Sequence, residues 1–105
     1  MNKELFIFLS NGNYLGFINN GYLYSRDGQY LGWLEGDFVW DSSGRFRGAL
    51  IDVNNNKYVV INTLAVQPLP RVPRANPMGQ TVLPPPPPNV SPIALPVGFK
   101  DGYTL

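Results

Sequence analysis

Oxygen-bearing side chains alternate in Asp52-Val53-Asn54-Asn55-Asn56, the pattern of the first half of a calcium loop. Such a loop also needs a glycine at its sixth position and a distal bidentate glutamate, and Lys57 stands where the glycine would be. A polar turn between Ile51 and Tyr58 accounts for the run more simply. Glu35, Asp37 and Asp41 could form a carboxylate pair or a hard-cation site, but a solvated turn explains the same spacing. The hydroxyls of Ser42 and Ser43 have no base to activate them, because the chain has no histidine, and a hydrolase triad is excluded by composition. The absence of cysteine removes thiol nucleophiles, thiolate metal sites and disulfides. No catalytic residue, metal ligand or cofactor is expected, and the chain does not read as an enzyme.

The remaining chemistry is that of contact. Aromatic residues make up 13% of the chain, and Trp33, Trp40, Tyr22 and Tyr24 could form a stacking platform for sugars or single-stranded bases. Large rings also fill thin β cores or interfaces, and that use is the favoured one because soluble monomers seldom expose large apolar patches. Arg45 and Arg47 are two residues apart, so they share one side of a strand, with Lys57 opposite. A net charge of +1 is too small for the electrostatic footprint of a polyanion binder, so nucleic acid is not an expected partner. Pro70-Arg71-Val72-Pro73-Arg74 combines Pro-x-x-Pro with flanking arginines, and Pro84, Pro85, Pro86, Pro87 and Pro88 form a stiff rod. Polyproline II segments suit aromatic-lined grooves because their conformational entropy is already lost. These prolines, Arg71 and Arg74, together with Trp33, Trp40, Arg45 and Arg47, are the candidate interaction residues.

What must position them is a repeat of sixteen residues. Gly12, Gly28 and Gly44 fall at equal steps, as do Gly16, Gly32 and Gly48. Tyr14-Leu15 recurs as Tyr30-Leu31 and as Phe46-Arg47; each is closed by its glycine and an apolar pair, Phe17-Ile18, Trp33-Leu34 or Ala49-Leu50. A period this short encodes one β-hairpin and its turns. All 11 prolines lie between Pro68 and Pro96, so the chain before them can be sheet and residues 64–96 cannot. Residues 97–104 can be laid without a gap on residues 31–38, which makes Gly98 the candidate fourth glycine. Phe6-Ile7-Phe8-Leu9 matches the outgoing half of a unit, so the array is expected to close with the N-terminal strand beside the last one. Strands are expected over residues 4–9, 14–18, 22–26, 30–34, 38–41, 46–51, 58–62 and 96–99, with no helix. Asn20-Gly21, Asp27-Gly28, Glu35-Gly36 and Asp101-Gly102 are the expected turns. The division is residues 1–63 as hairpin repeats, 64–96 as a proline-rich insertion or arm, and 97–105 as the closing segment of the same domain.

Both faces of these strands are apolar: Tyr14, Gly16 and Ile18 alternate with Leu15 and Phe17, and Tyr30, Gly32 and Leu34 with Leu31 and Trp33. A half-buried antiparallel strand would be polar on one side. Part of the second face is therefore expected to lie against another subunit, making the protein a homo-oligomer. The arm could fold over its own domain, dock on a neighbouring subunit or remain free, and its replacement by a short turn is expected to leave the ring folded. The apolar run Leu5-Phe6-Ile7-Phe8-Leu9 is too short for a signal-peptide core of ~7–15 residues, so a cytoplasmic protein with no membrane segment is expected.

The Gly-x-Tyr-Leu-Gly-aromatic-aliphatic units at residues 12–18 and 28–34, the Phe46-Arg47-Gly48 variant and the Val97-Gly98-Phe99 echo resemble the bacterial four-fold β-flower family. The resemblance covers residues 4–62 and 97–105, with Arg47 and Ala49 standing where other units have an aliphatic and an aromatic residue. It implies an all-β fold of four short antiparallel hairpin petals around a pseudo-four-fold axis, and it implies no catalytic residues. The expected function is a non-catalytic structural or protein-interaction module that self-associates and presents its proline-rich arm to a protein partner. The alternative is a small ligand-binding domain for a saccharide or single-stranded nucleic acid, using the aromatic and arginine surface.

Overall fold

A computed structural model describes residues 5–77 and 83–104; Glu4 and Leu105, included in the expected first strand and closing segment, lie outside them. Eight strands follow in order: β1 Leu5–Phe8, β2 Tyr14–Asn19, β3 Tyr22–Ser25, β4 Tyr30–Glu35, β5 Phe38–Asp41, β6 Phe46–Val53, β7 Asn56–Asn62 and β8 Phe99–Asp101. Each pairs with the next, antiparallel throughout, and β1 pairs with β7 to close a barrel-like sheet. No helix occurs among the described residues.

The sixteen-residue period is visible in the backbone hydrogen bonds. Arg26 and Ser42 donate to the carbonyls of Leu15 and Leu31, and Leu34 and Leu50 to those of Gly21 and Asp37. Tight turns join the hairpins where two adjacent residues accept positive φ, Asn20 (53°) with Gly21 (82°) and Asn54 (52°) with Asn55 (66°). The run from Asp52 to Asn56 is therefore the end of a hairpin, with Asn54-Asn55 as the turn between β6 and β7.

The closing strand departs from expectation. It begins at Phe99, because Pro96 to Phe99 form a turn in which Gly98 has φ 88° and the Phe99 amide donates to the Pro96 carbonyl. Leu23 and Val39 face Gly32 and Gly48 across the ladder, whereas the Val59 carbonyl accepts the amide of Gly102. Gly102, four residues beyond Gly98, thus lies against β7, and Asp101-Gly102 is not a hairpin turn. The N-terminal strand also lies elsewhere than expected. β1 runs parallel to β7 through Ile7–Lys57 and Phe8–Tyr58, while β8 pairs with β7 further along, from Val60 to Asn62. The link to the closing segment comes from Asp101, whose carboxylate accepts the Ser10 amide at 2.9 Å and the Ser10 hydroxyl at 2.7 Å.

The interior is aliphatic. Ile7, Leu23 and Val39, at sixteen-residue steps, are fully buried, and Leu9, Leu15, Ile18 and Val59 complete the cluster. Small barrels are filled by such side chains rather than hollow. The outer face is also apolar, and the chain's own residues cover it: Val90, Ile93 and Leu95 pack on Phe8, Tyr14, Tyr58 and Val60. The cover expected from a second subunit is supplied over these residues by the same polypeptide.

Candidate functional site

The outer face repeats an aromatic triad. Phe6, Phe8 and Tyr14 meet in the first unit, Tyr22, Tyr24 and Tyr30 in the second, and Phe38, Trp40 and Phe46 in the third, with ring centroids 5.5–6.3 Å apart. Edge and tilted contacts of this kind add to burial because ring edges face ring planes. Phe17 and Trp33 extend the face, Phe17 stacking on Tyr24 at 5.5 Å and Trp33 lying opposite Trp40.

The proline-rich arm docks on this face. The Arg71 guanidinium lies 4.6 Å from the Trp40 ring centroid and that of Arg74 lies 4.5 Å from the Trp33 centroid, both within cation–π range. The Trp40 indole donates to the Leu69 carbonyl, the Tyr30 hydroxyl to the Arg74 carbonyl and the Tyr24 hydroxyl to Asn76. Arg71 also reaches Glu35 at 3.3 Å. Trp33 and Trp40 are each 1% exposed, so these rings lie buried beneath the arm and do not form an exposed stacking platform.

One docking geometry is used twice. The Arg71 amide donates to the Gly44 carbonyl and the Arg74 amide to the Ser42 carbonyl; nineteen residues on, Val90 donates to Gly12 and Ile93 to Ser10. A Cβ on Gly44 would collide with the Arg71 carbonyl oxygen, and one on Gly12 with that of Val90, so both junctions require glycine for the approach. The two arm segments, Arg71-Val72-Pro73-Arg74 and Val90-Ser91-Pro92-Ile93, share a proline at the third position. That shared proline and the Ser-x-Gly common to residues 10–12 and 42–44 are the sequence traces of the second contact, and the reading of Pro-x-x-Pro alone misses it. Asn89 adds a side-chain oxygen that accepts the Tyr14 amide at 3.0 Å.

At one mouth of the barrel Arg47 occupies the place of Leu15 and Leu31 and pairs with Asp41 at 2.8 Å, its guanidinium 5.5 Å from the Tyr103 ring. Burial pushes the Asp41 carboxyl up, but hydrogen bonds from the Ser43 hydroxyl, the Arg45 amide, Arg47 and the Ser43 amide outweigh it and hold the group below its ordinary value. Burial pushes the Tyr103 hydroxyl well up, with the Asp41 charge acting in the same direction. Glu35 is held low, chiefly by the hydrogen bond from the Trp33 indole. Asp41 thus serves a turn and the pair with Arg47, Glu35 the contacts with Trp33 and Arg71, and no group of three or more metal-ligating side chains occurs among the described residues.

The remaining candidates are scattered. Arg45 is exposed, and with Arg47, Lys100 and Asp101 it lines a hollow of about 340 Å³. Arg45 and Arg47 are therefore not joined to the tryptophans in one surface. Pro70, Pro73, Pro85, Pro86 and Pro88 are exposed, Pro87 is half-buried and Pro84 is buried. The arm is thus partly core. Tyr58 has a buried hydroxyl without a hydrogen-bond partner, the one such side-chain atom among the described residues. No helix of the described residues is long and apolar enough to cross a membrane.

Neither a curated protein nor a solved structure matches the chain. A family model described as 4-fold beta flower protein matches residues 1–94, which takes in most of the proline-rich arm and stops short of β8, so the matched region differs from the resemblance at both places. With the match spanning the hairpin repeats and the arm that covers them, the chain belongs to the 4-fold β-flower protein family.

Proposed function

We propose that the protein is a non-catalytic structural or interaction module in which β8 and β1, laid one after the other along β7, stand in place of a fourth petal around a pseudo-four-fold axis. Residues 64–96 are then an insertion there, its described segments held against the barrel as a preformed ligand. The observation that carries this reading is the two-sidedness of the arm. Arg71 and Arg74, three residues apart, are pinned on Trp40 and Trp33, while Leu69 and Val72, also three apart, are 78% and 84% exposed. Three residues make one turn of polyproline II, so one edge of the rod is clamped and the other offers an apolar stripe flanked by Pro70 and Pro73. Exposed apolar stripes of this kind mark contact surfaces, and aromatic-lined grooves read Pro-x-x-Pro segments in this extended form. Self-association through the stripe, or exchange of the tethered arm between copies, follows from the same feature.

Sedimentation velocity over a concentration series, together with titration of a proline-reading SH3-type domain, tests the proposal on the wild type and a Leu69→Glu/Val72→Glu variant. Self-association or domain binding that the double substitution abolishes, at unchanged melting temperature, supports it. A wild type that is monomeric at every concentration and does not bind the domain overturns it.

A further inference from the structure

The three outer-face ladders differ in what fills their middle rung. Across the sheet they read Phe6–Phe17–Tyr24, Tyr22–Trp33–Trp40 and Phe38–Ala49–Val60, each residue directly opposite the next. The first two ladders place a ring in the middle and another beside it. The third places a methyl group and an isopropyl group there, and a cavity of about 280 Å³ opens above Ala49 and Val60. Phe38, Phe46 and Phe99 rim it, and the start of the arm, from Ala65 to Pro68, walls the remaining side.

We propose that this slot binds a small neutral molecule with a planar aromatic system of one or two rings, the size of indole. Its volume exceeds the ~150 Å³ that suffices for a dry apolar cavity to take up benzene. Shape follows from the sister units, which hold a phenyl and an indole on the same rung of the same ladder. Neutrality follows from the lining, which contains no charged side chain, so a buried charge would be left unpaired. A polar ring N–H also has an acceptor within the lining. The Gln67 amide nitrogen donates to the carbonyls of Asn62 and Ala65, which leaves its side-chain oxygen without a donor among the described residues. In the sister unit both indole N–H groups are likewise bonded, to Glu35 and to Leu69.

The test titrates indole into the full chain while the Ile51 and Val60 methyl resonances are followed, with Ala49→Phe as the variant that supplies the missing ring. Saturable shifts of both methyls in the wild type are expected. Ala49→Phe is expected to weaken binding by at least roughly tenfold, the factor given by ~1.4 kcal/mol of lost contact, and to raise the melting temperature without ligand. Should Ala49→Phe fail to fold, Val60→Phe fills the neighbouring rung and is held to the same outcome. Benzenesulfonate, a ring carrying a charge, is expected to bind more weakly than indole by a similar factor. Absence of saturable shifts in the wild type, undiminished shifts in a folded filled variant, or equal binding of benzenesulfonate would each overturn the proposal.

Discussion

The inner and outer faces of the barrel are both apolar, yet they are sealed by different means. Inside, the sheet closes on itself, and aliphatic side chains one period apart meet across the axis: Ile7, Leu23 and Val39 each sit opposite a glycine. Outside, no second layer of regular structure exists among the described residues, and the rings project into an irregular arm. A proline-rich cover has an advantage there. Proline carries no amide donor and little conformational freedom to lose, so the cover leaves few polar groups to satisfy and costs less to order. The donors it does have at 71, 74, 90 and 93 find carbonyls at the strand junctions. A doubly apolar strand therefore does not by itself require a second subunit.

The sharpest way to break the inner seal is Gly32→Val. An added Cβ would run into the Trp40 carbonyl oxygen of the neighbouring strand, a backbone atom that cannot swing aside. Loss of the native fold is expected, exceeding the ~5 kcal/mol at the low end of domain stability, as read by circular dichroism at 25 °C. A variant that melts like the wild type would show that the strands are not held at this spacing.

Breaking the outer seal is expected to cost less. Replacing residues 64–96 with an Asn-Gly turn uncovers Trp33 and Trp40, each ring worth ~1.5–3 kcal/mol of burial, so a loss of roughly 3–6 kcal/mol is expected from denaturant unfolding. The expectation of a folded ring counted only loop closure and not the rings beneath the loop. Unchanged stability would mean that the arm rests on the face without sealing it.

Two smaller substitutions sharpen the contrast. Asp41→Asn removes a carboxylate whose pKa is held down, so its contribution is complete above the ordinary carboxylate value of ~3.9 and is lost as pH falls through the lower folded value. The stability gap between wild type and variant, about 1–2 kcal/mol near pH 7, should therefore close below about pH 4 in urea titrations. A gap independent of pH would remove the charge from the account. Smallest is Tyr58→Phe on the outer face: deleting an unpartnered buried hydroxyl should leave stability unchanged or raise it by up to ~1 kcal/mol in the same titration, and a clear loss would reveal a partner for that hydroxyl.

Much of the fold was legible because it is local. Equal glycine spacing and Asn-Gly chemistry announce hairpins, and seven of the strands fall within a few residues of their expected places. The closing segment was misread because Gly98-Phe99 repeats the pattern of Gly32-Trp33, whereas Gly98 in fact lies in a turn with φ 88°. A glycine that serves a strand and one that serves a turn look alike in a repeat alignment. Of the candidate site, Arg71, Arg74, Trp33 and Trp40 were singled out separately, but nothing in the sequence paired them. The contacts of Val90 and Ile93 were missed because they are made by backbone amides, to which residue type is nearly irrelevant.

By itself, then, the sequence determined the sixteen-residue unit, its turns, the two apolar faces and the exclusion of strands from the proline-rich stretch, since these depend on spacing and on the φ and hydrogen-bonding limits of glycine and proline. Only the tertiary structure decided what covers the outer face. The same rings would accept a second copy or the chain's own arm equally well on chemistry alone. The arm, anchored at Asn62 by β7 and at Phe99 by β8, is held beside those rings at a high effective concentration, and that tether favours the intramolecular cover.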